Sequence, residues 1–188
     1  NTFTGHQGVK SIIDLAKKIS TQYDIPISKI FVCSTGVIGE PYPIKKILSA
    51  ISQKKIPNKD WLNSAKAIMT TDTFPKGITR SFKFNGVISH ITGISKGSGM
   101  IEPNMATMLG FVFVEIDIPN TLLQKMLIQV TEDTFNKITV DGDESTNDTV
   151  ILASTNRLVP NKAIKTLNDP QLRNFKKELK YVFQYLAE

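Results

Sequence analysis

The residues able to do chemistry in this chain gather in short loops, and one loop ends in a threonine whose setting suits an autoprocessing nucleophile. The segment Lys96-Gly97-Ser98-Gly99-Met100-Ile101-Glu102-Pro103-Asn104-Met105-Ala106-Thr107 is polar, broken by Gly and Pro, and runs through Met108-Leu109 into an apolar stretch. Ala106 is small enough for Thr107 Oγ to approach the Ala106 carbonyl. An N→O acyl shift followed by hydrolysis would free the Thr107 amine, which then serves as general base for its own hydroxyl. Ala-Thr pairs are common, so on spacing alone an ordinary loop stays open as the rival reading.

Three further loops carry polar groups in unusual density. Cys33-Ser34-Thr35-Gly36-Val37-Ile38-Gly39 follows a short apolar run. A Thr-Gly turn can aim a hydroxyl and a backbone N–H at one point, the requirement for an oxyanion hole, although a plain glycine turn fits the same residues. A phosphate loop does not, because the GxxxxGK[ST] pattern is absent. Met69-Thr70-Thr71-Asp72-Thr73-Phe74-Pro75-Lys76 sets several hydroxyls before a proline; threonine is a poor helix former, so a loop with engaged side chains is expected, turn capping being the plain version. Asp141-Gly142-Asp143-Glu144-Ser145-Thr146-Asn147-Asp148 is acidic, but its glycine stands second and no Glu follows at the twelfth place, so the EF-hand spacing is not met. A hydrogen-bonded turn walling a site is expected there. His6 and His90 are too few and too far apart for a metal or triad assignment, and no metal is expected. Cys33, within an apolar run, reads as a packed, inert thiol.

These loops need a scaffold, and the periodicity of the chain describes one. Helical spacing of Val9, Ile12, Ile13, Ala16 and Ile19 predicts a helix from Val9 to Tyr23, stopped by Pro26. Ile30 to Cys33 reads as a short buried strand opening into the Thr35-Gly36 turn. Helices are expected from Pro43 to Ile51 and from Asn58 to Met69, the latter capped by Asn58. Alternation between Thr79 and Thr92 predicts two strands joined at Asn85-Gly86, and Lys96 to Met100 reads as a flexible polar stretch. Gly110 to Ile116 is the clearest strand; a helix from Pro119 to Asn136, a strand from Val150 to Ala153 and a helix from Pro170 to Ala187 complete the pattern. Strands and helices alternate without strict βαβ regularity, which predicts a layered α/β or α+β domain with loops held at strand ends.

The bulk numbers fit that picture. The 188 residues are 40% hydrophobic and 21% charged, an ordinary globular composition. The formal charge of +6 comes from scattered lysines without interleaved aromatics, so it reads as solubility and mild attraction of anionic substrates rather than as a nucleic-acid interface. One cysteine permits no internal disulfide. No apolar run is long enough to span a membrane. The opening Asn1-Thr2-Phe3-Thr4-Gly5 has neither the initiating Met nor the profile of a signal peptide, and reads as part of a fragment or processed chain.

Taken jointly, five segments resemble the ornithine acetyltransferase (glutamate N-acetyltransferase) family: TGHQG at Thr4 to Gly8, STGVIG at Ser34 to Gly39, MTTDTFPK at Met69 to Lys76, KGSGMIEPNMATML at Lys96 to Leu109 and DGDESTND at Asp141 to Asp148. Each is loose alone; their order and spacing are specific, and they run through nearly the whole chain. The resemblance implies the layered α/β (α+β sandwich) fold of the DmpA-like, self-processing N-terminal-nucleophile type. It implies self-cleavage between Ala106 and Thr107, so that residues 1–106 belong to an α chain and residues 107–188 open a β chain. Thr107 is then the nucleophile, Thr35 (hydroxyl) and Gly36 (N–H) form the oxyanion hole, and Thr70 and Lys96 bind substrate along with Thr107.

The implied reaction belongs to arginine biosynthesis: an acetyl group moves from N2-acetylornithine to glutamate through acetyl-Thr107. No metal or organic cofactor is implied, and acetyl-CoA is a co-substrate only in bifunctional members. A heterotetramer of two α and two β chains in the cytoplasm (the mitochondrial matrix for a fungal or algal member) is the expected setting, without nucleic acid or membrane. Family members are longer, and the resemblance places this chain in their middle, short of a downstream Gly-Glu-Gly-Ala-Thr-Lys type segment. Glu102 also stands near the scissile bond where a small residue is common. The alternatives are a related self-cleaving amidohydrolase or aminopeptidase, which passes the acyl group to water, and an inactive truncated fragment.

Overall fold

Asn85 and Gly86 reverse the chain in two residues. Both take positive φ, 50° and 82°, as a two-residue hairpin turn of the primed type requires and as Asn and Gly reach at least cost. The structure, a computed structural model, describes residues 2–53, 60–97, 108–137 and 147–188. Within them the chain forms α1 (Gly5–Tyr23), α2 (Ile44–Gln53), α3 (Trp61–Ile68), β1 (Lys76–Phe84), β2 (Val87–Lys96), β3 (Leu109–Ile116), α4 (Asn120–Asp133), β4 (Thr149–Leu158) and α5 (Arg173–Ala187). The mixed α/β class expected from the sequence is what is found.

The strands lie in the order β1-β2-β3-β4. β1 and β2 pair antiparallel from Phe84↔Val87 out to Lys76↔Ser95, β3 is antiparallel to β2, and β4 is parallel to β3. A parallel step needs a crossover, here carried by α4. The hairpin is longer than its alternation predicted, and the added length draws Lys96 into the sheet as the last residue of β2.

One face of the sheet is closed by α5. Phe175, Leu179, Val182, Phe183 and Leu186 fall at helical spacing and are buried against Phe82, Ile91, Val112 and Val114, with Leu122, Met126 and Val130 of α4 extending the same core. Phe82 stacks near Phe175 and Phe135 meets Phe183 edge-on, at 5.8 and 5.6 Å between ring centroids. Gly93 lets α5 approach: a Cβ there would lie 2.7 Å from Leu186 Cδ1 and 3.1 Å from Val112 Cγ2.

The other face is covered more thinly, by α3. Ala65 is buried against it, and the Trp61 ring meets Phe113 at 5.4 Å. α3 begins at Trp61, where the Asp60 carboxylate accepts from the Asn63 N–H at 3.0 Å; the Asn58 cap expected from sequence lies outside the described residues.

Two expectations are corrected. Ile30 to Cys33 forms no strand, and Phe31 is 80% exposed; an apolar run cannot by itself distinguish a strand from an extended loop. The stripe expected to bury α1 holds only in part: Ala16 is buried and Ile19 partly so, whereas Val9, Ile12 and Ile13 are exposed, and Gly8, Ser11 and Leu15 join Ala16 on the buried side.

Candidate active site

Lys96 is the centre around which the motif loops converge. Its strand position sets its direction: Ser95 faces α5, its hydroxyl donating to the Leu186 carbonyl at 2.8 Å, so the next side chain in the pleat projects to the α3 side. The residue is 1% exposed. An ammonium buried that far is costly unless polar atoms receive it. Here Lys96 Nζ donates to Thr35 Oγ1 at 2.8 Å and lies 3.4 Å from Thr70 Oγ1. Burial pushes the Lys96 ammonium below the usual lysine range, and the negative charges of Asp72 and Asp148 act against that shift.

Thr35 sits half-buried in the loop before α2, with Gly36 beside it. A lysine ammonium has donors only, so in this pair Thr35 Oγ1 is the acceptor. Its own O–H is thereby left to be aimed at a different atom. Thr70 lies just past α3, whose end is the extended residue Met69. The three residues come from chain segments far apart, and none is positioned by its sequence neighbours alone.

Asp72 ties Thr70 to the end of β2. Its Oδ2 accepts from the Thr70 N–H at 3.2 Å, and its Oδ1 from the Gly97 N–H at 2.7 Å. Lys76, also buried, donates from Nζ to the Gly97 carbonyl at 3.2 Å. Gly97 is therefore held on both sides at φ 132°, a value that strains any residue with a Cβ. Such a Cβ would also sit 3.2 Å from Met108 Cα, so the two ends of the segment between β2 and β3 lie side by side. Met108 is fixed in turn: its N–H donates to Asp148 Oδ1 at 2.9 Å, and its carbonyl accepts from the Thr149 N–H at 3.1 Å.

Two further motifs are tied together through Thr2. Thr2 Oγ1 donates to Asn147 Oδ1, and the Thr2 carbonyl accepts from the Gly39 N–H at 2.9 Å. At the start of α1, a Cβ on Gly8 would fall 1.9 Å from Thr4 Oγ1, so the second glycine of TGHQG is the space into which Thr4 folds.

Of the residues picked from sequence, Thr35, Gly36, Thr70 and Lys96 are thus brought to one place. Ala106 and Thr107 lie outside the described residues, as do residues 141–146 of the acidic segment. Lys96 corrects one expectation: it is no part of a flexible stretch but a buried strand residue. Cys33 is half-buried in a loop rather than a strand, and burial pushes its thiol up, away from thiolate chemistry. Asp72, Lys76, Gly97 and Asp148 were not picked out for the site, although all four lie in its motifs. The signal available was the pairing of a carboxylate with amide-rich turns, which spacing does not aim. His90 stands apart on the sheet, 3.1 Å from Glu115. Among the described residues no three His, Cys, Asp or Glu side chains gather as a metal site would require.

Comparison with known proteins bears on this arrangement. The model of the ArgJ family matches residues 1–188. The chain belongs to the ArgJ family. Among its relatives, the arginine biosynthesis bifunctional protein ArgJ of Lactococcus lactis subsp. lactis (strain IL1403) is 42% identical over 188 residues, covering 100% of this chain and 47% of the relative. Its namesake in Bradyrhizobium diazoefficiens is 43% identical over 193 residues, covering 100% and 46%, and that of Gluconobacter oxydans (strain 621H) is 41% identical over 177 residues, covering 93% and 42%. The chain spans about half the length of the curated relatives it matches. The family resemblance drawn from the five segments is borne out.

Proposed function

We propose that this chain is the central part of a self-cleaving acetyltransferase of arginine biosynthesis, moving an acetyl group from N2-acetylornithine to glutamate. The observation that carries the reading is the bond from Lys96 Nζ to Thr35 Oγ1. With its acceptor role taken by the ammonium, the Thr35 hydroxyl is oriented to donate, and with the Gly36 N–H it forms an oxyanion hole. Family membership and the placement of Met108, next in sequence to Thr107, against Asp148 support Thr107 as the nucleophile.

In this scheme Thr107 Oγ attacks the Ala106 carbonyl, and hydrolysis of the resulting ester frees the Thr107 amine. Residues 1–106 then fall in the α chain and 107–188 in the β chain. The mature Thr107 amine takes the proton from its own Oγ as Oγ adds to the acetyl carbonyl of N2-acetylornithine. Thr35 and Gly36 hold the negative oxygen. The C–N bond breaks, the proton goes to the leaving nitrogen, and ornithine departs from acetyl-Thr107. The amine of glutamate attacks that ester and restores the Thr107 hydroxyl. Thr70 and Lys96 bind substrate, the ammonium suiting a carboxylate.

The scheme uses no resident metal or organic cofactor, and acetyl-CoA enters as an alternative acetyl donor in a bifunctional enzyme, the word carried by the relatives' names. A DmpA-like fold, an assembly of two α and two β chains and a cytoplasmic setting belong to the same reading. Among the described residues no helix is long and apolar enough to cross a membrane.

The test is an assay of ornithine release from N-acetylornithine by the full-length protein. Release that depends on glutamate is expected, and release of equal rate without glutamate would mean a hydrolase instead. Intact mass should show a break between Ala106 and Thr107, absent from a Thr107→Ala variant, which should also lose transfer. Removing the Thr35 hydroxyl should lower kcat by roughly 10²–10³.

A further inference from the structure

We propose that Asp72 is a positioning residue for this reaction: its carboxylate, by holding the Thr70 and Gly97 amides together, sets Lys96 between the Thr35 and Thr70 hydroxyls. The inference rests on the acetyl-transfer reading above and goes beyond it, because Asp72 touches neither the substrate nor the reacting atoms in that scheme. Its geometry is specific. Asp72 is buried, and each carboxylate oxygen takes a backbone donor at or next to a site residue: the amide of Thr70 itself, and the amide directly after Lys96. An ionised carboxylate accepts such bonds about twice as strongly as a neutral group does. One side chain thereby fixes the spacing between the loop after α3 and the end of β2.

The same carboxylate has an electrostatic effect that an uncharged clamp would lack. Among the described residues, the charged groups about Lys96 are Asp72 from the loop after α3, Asp148 just before β4, and Lys76 at the start of β1, bonded to the next carbonyl. Asp72 and Asp148 favour the ammonium form while burial disfavours it. Loss of one negative charge leaves burial less opposed, so Lys96 gives up its proton at lower pH. A neutral amine can accept a hydrogen bond as well as donate one, and Thr35 is then no longer forced to aim its O–H away from Lys96.

The test uses Asp72→Asn, which can keep the shorter bond to Gly97 while losing the charge, and Asp72→Glu, which keeps the charge but displaces it by a methylene. Asp72→Asn is expected to lower kcat by roughly 10²-fold, the scale of a small misplacement of catalytic groups. The alkaline limb of its kcat/KM profile should move to lower pH. Asp72→Glu should return that limb towards the parent's while kcat stays reduced. A kcat loss that merely follows loss of folded protein, with the alkaline limb unmoved, would overturn the proposal, as would unchanged kcat.

The Lys96 side-chain nitrogen can also be titrated by NMR in ¹⁵N-lysine-labelled protein, assigned with Lys96→Met, in a Thr107→Ala background that needs neither cleavage nor turnover. There Asp72→Asn should shift the Lys96 titration to lower pH, and an unmoved titration sinks the idea. Absence of glutamate-dependent transfer in the parent, with the Lys96 titration still shifted, would instead remove the acetyl-transfer reading and leave the Asp72–Lys96 coupling standing.

Discussion

On the α5 side of the sheet, Ile91, Val112, Phe175, Val182 and Phe183 are fully buried and apolar, and the few polar atoms there include Ser95 Oγ, bonded to a helix carbonyl. On the α3 side the most deeply buried large side chain is an ammonium, and Phe111, Phe113 and Ile151 are only partly covered. The first face minimises apolar exposure, and its geometry follows from how tightly α5 seats over Gly93. The second places a charge in low-dielectric surroundings and satisfies it with two hydroxyls and two nearby carboxylates. Polar groups arranged in advance around a developing charge are worth most where water is excluded, so the weaker packing of the α3 side is where chemistry gains. On the proposed reading, stability and activity therefore reside on opposite faces of one sheet, and substitutions should separate them.

The largest separation is expected at Lys96. Lys96→Met removes the donor to Thr35 and should lower transfer by at least roughly 10²-fold, on the scale of a lost oxyanion-hole group. The same change should raise thermal stability. Burial depresses the proton affinity of Lys96 in the folded state relative to the unfolded chain, so below the folded value both states are protonated and the folded state carries the full burial cost. Between the depressed value and the ordinary lysine value the unfolded chain binds more protons, and stability rises with pH. The variant's advantage should hence be greatest at neutral pH and shrink as the pH climbs through that window. Calorimetry at neutral and alkaline pH measures it, with about 2–4 °C in Tm for each kcal/mol. A less stable variant would show that Lys96 packs as part of the core, and the contrast between the faces would fail.

Phe183→Ala probes the opposite face. Its ring is fully buried and meets Phe135, so truncation should cost about 3–5 kcal/mol. Denaturant unfolding would read that loss, whereas kcat per folded molecule at low temperature should stay close to the parent's. A large fall in kcat with only a small change in stability would mean that α5 reaches into the site.

The two faces also differed in how well the sequence described them. The α5 face was legible because period and burial coincide there: residues 175, 179, 182, 183 and 186 make one apolar stripe, and the Gly110 to Ile116 run and the Asn85-Gly86 turn fix the strands they pack on. The site was legible as motifs, in which Thr35, Thr70 and Lys96 were picked out, but not as geometry. Lys96 ends a stretch of Thr, Gly, Ile and Ser that looks like a strand dissolving into a loop, and only pairing with Leu109 of β3 shows that the ladder continues to it. Asp72 lies among threonines, and no spacing reveals which amides point at its oxygens. Ile30 to Cys33 and the outer part of the stripe on α1, Val9, Ile12 and Ile13, failed for a related reason. Apolar periodicity shows where a face is, but what covers that face depends on the rest of the fold.

The smallest expected effect lies at the cap of α3, the helix that covers the second face. Asp60 accepts from the Asn63 N–H, and α3 leads directly into Thr70 and Asp72. Replacing such a cap with alanine costs about 1 kcal/mol in typical helices. If α3 were simply a lid over the sheet, Asp60→Ala would lower Tm by about 2–4 °C and leave kinetics unchanged. The continuous path from the cap to Asp72 predicts otherwise. Fraying of an eight-residue helix loosens the segment that aims Asp72, so kcat should fall a few-fold while Asp72→Asn, already without that aim, gains little further loss from the second change. A double-mutant cycle in kcat measures the coupling; strict additivity would confine α3 to packing and place the aim of Lys96 in β2 alone.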